Sequence, residues 1–363
     1  MATFEVTIET ITVKPHPDAD RLELAVVGLY NVVVPKGVYT TGDKVLYIPE
    51  YAVLPQELVS ALGLDGKLSG SKKDRVKPVK LRGALSQGVV APLTVLPGGT
   101  DLGLGDFAPV LGITKYQPAI PTSMSGDVEG KPELVKWIDI ENLKKFPHTF
   151  NEANRVHISE KVHGSCTLFT TVYEDGAAVE RIVTSKGLGE KQIALKESEN
   201  VIYWRTVKEQ NLEGFADFIR TTLTGEGVTD IVKVAVFGEV YGSKVQDLHY
   251  GKTGGELGYM AFDSYVMTAD GNGFWVNPQE LTDLATQFGV PVVPTLFVGQ
   301  FNLDKVIELA SGPETVSGEG KHIREGVVIR LTDRPFGYSD GAAQVAKYVS
   351  DDYLTRKGGT EYQ

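Results

Sequence analysis

The stretch Gln117-Pro-Ala-Ile-Pro-Thr-Ser-Met-Ser-Gly-Asp-Val-Glu-Gly-Lys-Pro132 is dense in proline, glycine and serine. Such a composition reads as a linker, so the chain is expected to fold as two bodies rather than one. The 363 residues are long enough for two domains, each with a sizeable core. The expected division is 1–120, a linker over 121–135, and 136–363.

The first part is built from short strand signals. Phe4-Glu-Val-Thr-Ile, Leu22-Glu-Leu-Ala-Val-Val, Asn31-Val-Val-Val-Pro and Lys44-Val-Leu-Tyr-Ile-Pro are separated by Gly, Pro and Asp at small intervals. This is the pattern of a small β barrel or sandwich. A short helix is expected near Pro55-Gln-Glu-Leu-Val-Ser-Ala-Leu. The segment His16-Pro-Asp-Ala-Asp-Arg-Leu-Glu resembles the tRNA-binding OB modules found beside aminoacyl-tRNA synthetases. An OB-fold is a partly open Greek-key barrel often used for nucleic acid.

Net charge is −11 and pI about 5.2, which argues against a general polyanion binder. The charge is uneven, however. Between Leu64 and Arg82 stand Lys67, Lys72, Lys73, Arg75, Lys77, Lys80 and Arg82, against only Asp65 and Asp74. Such a segment can meet phosphates; a solvated loop is the alternative.

The second part mixes strands with fewer helices, an α+β pattern without regular βαβ alternation. Strands are expected at 167–174, 179–186, 232–242, 258–267 and 325–332. Helices are expected at 137–146, 190–200, 209–224, 278–288 and 303–311. The 209–224 helix has Leu212, Phe215, Phe218, Ile219 and Leu223 at helical spacing. Cys166 is the single cysteine, so no intramolecular disulfide can form, which fits a reducing compartment; it reads as small core filler. The N-terminus lacks a signal-peptide pattern, and no apolar run approaches the ~20 residues that span a bilayer. A soluble, cytoplasmic monomer is expected.

Lys161 ends an alternating strand signal in Ser159-Glu-Lys-Val-His-Gly-Ser165. A lysine followed at short range by a polar residue and glycine suits an amine nucleophile. The amine can form a covalent intermediate, and the glycine allows close backbone approach to a phosphate. More elements follow in order: Ser185-Lys-Gly187, Val236-Phe-Gly-Glu-Val-Tyr-Gly242, Ala261-Phe-Asp-Ser264, Arg324-Glu-Gly-Val-Val-Ile-Arg330 and Val345-Ala-Lys-Tyr348. This order resembles motifs I, Ia, III, IIIa, IV and V of the covalent nucleotidyltransferases, the ligases and capping enzymes. The match is closest to ATP-dependent RNA ligases of the fifth family, nick-sealing enzymes with an N-terminal OB domain. The OB-like module precedes the core, His163 stands where most relatives have aspartate, and Asp139-Ile-Glu-Asn-Leu-Lys-Lys-Phe-Pro looks like the upstream element of RNA ligases.

The resemblance implies an OB-like barrel followed by an adenylyltransferase domain of antiparallel sheets with flanking helices. It also implies ATP as AMP donor, Mg²⁺ or Mn²⁺, and nicked RNA as substrate. Lys161 becomes the residue that carries AMP. Glu160, His163, Gly164, Lys186, Glu239, Phe262, Glu325 and Lys347 join it around the nucleotide, with Phe262 stacking on the purine. Lys347 neutralises the α-phosphate in the transition state. Glu239 and Glu325 contact metal, directly or through water; a ribose hydroxyl, the lysine itself or a structural ion pair are the other partners that such carboxylates could serve. Lys72, Lys73, Arg75, Lys77, Lys80 and Arg82 are expected to grip nucleic acid. Departures are Lys186, where arginine is frequent, and Val345, where a second lysine is common.

The attacking amine must be neutral. Free lysine, with a pKa of ~10.4, is disfavoured in that form by roughly 4–5 kcal/mol at neutral pH. Burial and nearby cations, Lys347 and a metal, are expected to lower that cost. The rival readings are a DNA ligase, a capping enzyme, or a non-catalytic RNA-binding protein with a decayed core.

Overall fold

The computed structural model describes residues 4–117, 124–131, 134–135, 140–332, 345–357 and 359. The chain divides into two compact units, residues 1–117 with 141–148, and residues 118–140 with 149–363.

The N-terminal unit is an OB-fold domain followed by the returning segment 141–148. Its central strand, Lys44–Ile48, lies between Thr7–Thr10 and Val89–Pro92 in an antiparallel sheet. Val45 and Tyr47 enter one core with Ile11, Ala25, Val32 and Val34. Leu46 and Ile48 enter another, with Val6, Leu54, Ala91 and Phe107. Burying both faces explains why this strand reads as an unbroken apolar run instead of alternating. The strands Thr12–Pro15, Leu22–Val27 and Tyr30–Pro35 form a meander. The expected helix near Pro55 is Gln56–Ala61.

The segment 141–148 packs on this unit through a buried lysine. Lys144, 2% exposed, donates from Nζ to Gln87 Oε1 at 3.2 Å, and Gln87 donates to Glu50 Oε1 at 2.9 Å. Its carbonyl accepts from Leu29 N–H. The helix expected over 137–146 does not form in the described part. Glu141–Asn142 is a short strand, and the Asn142 side chain then accepts from Lys144 N–H and closes a single turn. Residues 137–139 lie outside the described residues.

The second unit holds two antiparallel sheets. The larger runs Val128–Gly130, Ile193–Leu195, Ala177–Ser185, Ser165–Glu174, Ile231–Gly242, Leu257–Thr268, Gly273–Trp275 in spatial order. The smaller includes Val345–Val349, Gly326–Leu331, Arg155–Lys161 and Thr295–Gln300 in that order. Helices Ile202–Glu209, Leu212–Gly225 and Pro278–Phe288 bury Trp204, Val207, Phe215, Ile219, Leu281 and Leu284 with Phe169, Val183, Val234 and Val236 of the large sheet. This is the expected α+β architecture. Among the described residues no helix is long and apolar enough to cross a membrane.

Two local expectations are corrected. Residues 190–200 are not helical: Gln192 takes φ +57°, a left-handed conformation that ends the turn begun at Lys186, and Ile193–Leu195 enters the sheet instead. The helix lies further on, at Ile202–Glu209. Within the stretch read as a linker, Val128–Gly130 pairs with Ile193–Leu195 and Met124 is buried. All three residues of that short strand are exposed, so no alternation marked it.

Candidate active site

Strand ends and strand pairs of the second unit assemble the cluster. Lys161 closes the strand Arg155–Lys161 opposite Gly326, and Glu325 enters the partner strand one residue earlier. Lys161 Nζ lies 2.8 Å from Glu325 Oε1. Lys347 is carried by the next strand, opposite Val328. The large sheet supplies Glu239, and Lys186 begins the short turn after Ala177–Ser185. Lys161 interacts electrostatically with both carboxylates, and Lys347 with Lys186 and Lys161. The lysines and acids read from separate motifs thus share one site.

Their protonation follows from this crowding. Burial pulls the Lys161 amine down, but Glu325, Glu239 and the hydrogen bond to Glu325 outweigh it, and the pKa ends above the ordinary value. The expectation of a lowered pKa is therefore corrected for the protein alone: paired carboxylates hold Lys161 as an ammonium. Glu239 is pushed up to about 7, mainly by burial, against the pull of Lys161 and a hydrogen bond from Cys166. Lys347 is pushed down to about 8 by burial, then by Lys186 and Lys161.

Other site residues separate into those that face the cluster and those that do not. Glu160 does not, because successive strand residues point to opposite faces. Its fully buried carboxylate accepts from Thr315 N–H and Oγ1–H at 2.9 and 2.6 Å and from Arg324 Nε at 3.2 Å. Phe262 is the extra residue where the pairing slips between Phe237 and Gly238. Such a bulge re-aims a side chain, and here the half-buried ring packs 6.4 Å from Phe237 with the Arg330 guanidinium 5.9 Å from its centroid. Arg330 is itself buried against Asp263 and Ser159.

Gly164 is required by close packing. A Cβ there meets the Val240 carbonyl oxygen at 2.2 Å and Glu239 Cγ at 3.0 Å. The glycine lets the lysine loop lie against the Glu239 strand, a close contact within the protein that was not expected from sequence. Gly164→Ala should destabilise the fold by about 2 kcal/mol or more and displace Glu239; thermal melts and covalent nucleotide uptake measure the two effects.

Four residues around the cluster were missed. Cys166 stands opposite Glu239, and its thiol, pushed well up by burial and Glu239, donates to Glu239 Oε2 at 2.9 Å. It is not inert filler. Asp247, Tyr353 and Arg356 surround His163: its Nε2 lies 3.0 Å from Asp247 Oδ1 and its Nδ1 2.9 Å from the Tyr353 hydroxyl. Strand register or loop closure brings all four in, and neither leaves a mark in a short motif.

Buried carboxylate oxygen is the donor present, and Glu325 Oε2 has no hydrogen-bond partner among the described residues. Hard oxygen donors suit Mg²⁺ or Mn²⁺. Among the described residues no group of three or more His, Cys, Asp or Glu could hold a metal; Glu239 and Glu325 are the buried oxygen donors that would hold such a cation, with water completing its shell.

The basic segment belongs to the N-terminal unit. Lys72, Lys73, Lys80 and Arg82 are exposed, Lys77 is partly so, and Lys80 lies on the hairpin Val79–Leu81/Ala84–Ser86. Arg75 instead lies over the Tyr116 ring, 4.0 Å from its centroid.

The chain resembles known proteins throughout. Naegleria gruberi RNA ligase with PPi is 22% identical with a TM-score of 0.76, covering 97% of this chain and 98% of that one. A lysine-to-alanine mutant of that ligase with ATP and Mn is 22% identical at TM-score 0.75, covering 96% and 98%. That likeness shows the fold. No curated protein matches the chain by sequence. A model of an OB-fold domain matches residues 5–93. The RNA ligase family model matches residues 154–349, more than half of the chain and every strand that carries the lysine–carboxylate cluster, so the chain belongs to the RNA ligase family.

Proposed function

We propose that this RNA ligase seals 3′-OH/5′-phosphate breaks in RNA through a lysyl-AMP on Lys161, with ATP as the AMP donor. The observation that carries this reading is the 2.8 Å pair between Lys161 and Glu325, set between Glu239 and Lys347. Lys161 Nζ loses its proton to Glu325, the carboxylate already in contact. The amine then attacks the α-phosphorus of ATP, forming a P–N bond and expelling pyrophosphate. A 5′-phosphate oxygen of the RNA next attacks the same phosphorus, breaking the P–N bond. Finally the 3′-OH attacks the activated 5′-phosphate and AMP leaves. Each step is a phosphoryl displacement that depends on position and charge. Lys347 offsets charge on the α-phosphate, and Lys186 adds to the positive side of the site. A divalent cation held by Glu239 and Glu325 through its waters would supply further charge neutralisation and offset the carboxylate charge that favours the ammonium. The Naegleria gruberi RNA ligase structures, which hold ATP and Mn, AMP and Mn, or PPi, support ATP and a divalent metal as the ligands of a site of this fold.

Labelled ATP and Mg²⁺ or Mn²⁺ should leave AMP on the purified protein, and a nicked RNA duplex should then be sealed. Absence of the adduct overturns the reading; labelling by GTP alone points to a capping enzyme, and sealing confined to DNA points to a DNA ligase.

We further assign RNA grip to the exposed basic segment. Reversing Lys72, Lys73, Lys80 and Arg82 to glutamate should weaken RNA binding and flatten its salt slope by about one unit for each phosphate no longer neutralised. ATP labelling should be unchanged, and equal RNA affinity in the variant rejects the assignment.

A further inference from the structure

His163 sits at the centre of a buried charged chain that no step above uses. The ring is 5% exposed. Asp247 Oδ1 accepts from Nε2, and Nδ1 pairs with the Tyr353 hydroxyl at 2.9 Å. Both ring nitrogens are thereby fixed, and the main-chain N–H of His163 donates to the Tyr250 hydroxyl at 2.7 Å. Asp247 is clamped in turn by Arg356, whose Nε and Nη2 donate to Oδ2 and Oδ1 at 2.8 and 3.0 Å. The guanidinium also lies over the Tyr353 ring, 3.6 Å from its centroid, and donates from Nη1 to the Tyr353 carbonyl.

This chain ties together three separate segments. His163 is two residues past the lysine nucleophile. Asp247 lies in the loop after the Glu239 strand. Tyr353 and Arg356 follow the Lys347 strand, in and just past the turn Asp351–Leu354. Each segment therefore leads directly from a residue of the catalytic cluster. At its inner end His163 Nδ1 is 3.7 Å from Glu325 Oε2, the oxygen without a hydrogen-bond partner. A buried charge pair is a poor way to gain net stability, since desolvation consumes most of the attraction. A planar two-point contact is, however, a good way to fix register between segments.

We propose that Asp247 and Arg356 act through His163 as positioning residues for adenylyl transfer, holding the Lys161 loop, Glu325 and the Lys347 strand in one arrangement. This rests on the lysyl-AMP reading, and labelling of the unaltered protein tests that reading separately. The misalignment that follows when the clamp opens appears in the rate of P–N bond formation, because small displacements of reacting groups cost up to about a hundredfold.

The experiment measures single-turnover Lys161–AMP formation against ATP concentration in Arg356→Ala, Arg356→Lys and Asp247→Ala proteins, with thermal midpoints in parallel. Arg356→Ala should lower the maximal rate about tenfold or more, with ATP half-saturation changed much less. Millimolar guanidinium should restore much of that rate by refilling the partly open Arg356 site. Arg356→Lys, which keeps the charge and loses the fork, should fall between. Combining Arg356→Ala with Asp247→Ala should cost no more than the worse single change, as expected of one unit. Unchanged maximal rates in folded variants overturn the proposal. So does a loss expressed only as weaker ATP binding, or one indifferent to guanidinium. Should the alanine proteins fail to fold, Arg356→Lys decides: a lowered maximal rate at unchanged half-saturation supports the proposal, and wild-type kinetics reject it.

Discussion

Lys161→Ala protein, incubated with labelled ATP and Mn²⁺, should acquire no covalent AMP. The loss should exceed about a thousandfold, equivalent to about 4 kcal/mol in the barrier. The side chain supplies the nitrogen of the proposed P–N bond. Lys161→Arg sharpens the test. A guanidinium can keep the ion pair to Glu325, yet it stays protonated at any accessible pH and cannot attack. That variant should therefore melt near wild type and remain unlabelled. The alanine variant leaves two neighbouring buried carboxylates without their ammonium, so the Glu239 carboxyl, already pushed up by burial, should rise further and stability fall modestly. Metal removal should mimic the chemical defect in the unaltered protein. With Glu325 at 2.8 Å and Glu239 nearby, Lys161 is held as an ammonium, and chelation should reduce labelling to background. Robust labelling in chelator rejects the view that the carboxylates restrain the amine.

Lys347→Met should separate stability from function. Burial, Lys186 and Lys161 push the Lys347 amine down to about 8, so at neutral pH its charge is held at a cost of about 3 kcal/mol. An apolar side chain of similar length removes that cost, and the thermal midpoint should rise by about 5 °C. The gain depends on pH in a defined direction. Between pH 8 and 10.5 the unfolded lysine still binds a proton that the folded one has released, so the wild type gains stability with rising pH and the gap to the variant closes. Labelling by ATP should nevertheless fall about a hundredfold or more, since a preformed charge beside the phosphate is removed. A destabilised Lys347→Met protein, or one that labels normally, contradicts this account.

The cluster itself was legible because the order of its short motifs resembles that of the covalent nucleotidyltransferases, although each motif alone is too short to mark a site. Lys161, Glu239, Glu325 and Lys347 each lie at a strand end or within an apolar strand, and the order of short motifs already placed them in one site. Glu160 shows what a period-two argument adds: the residue beside an inward lysine faces the other way, here onto Arg324 and Thr315. Gly164 was recognised as a close-approach position, and the contact with the Val240 backbone came from the fold alone. Cys166 became visible only through the pairing that sets it opposite Glu239. Asp247 and Arg356 are 109 residues apart in sequence and meet through loop closure, which no single-strand pattern encodes. Helix propensity misled at 190–200, where Ile193–Leu195 gains more by joining the large sheet. The capped helix Leu212–Gly225 was found where apolar spacing placed it, and Pro278–Phe288 and Leu303–Ala310 lie where helices were expected.

Lys144 bears on how such an enzyme can be taken apart. Residues 118–140 belong with the second unit, and 141–148 return to the first, pinned by an amine buried against Gln87. The polypeptide therefore crosses between units three times. A single cut near residue 120 strips the barrel of a peptide it buries, and a fragment starting there carries that peptide without its socket. Recombination could exchange the OB-fold domain of this ligase as a working cassette only if the distal peptide moved with it. The heritable piece is thus discontinuous in the gene although compact in the fold.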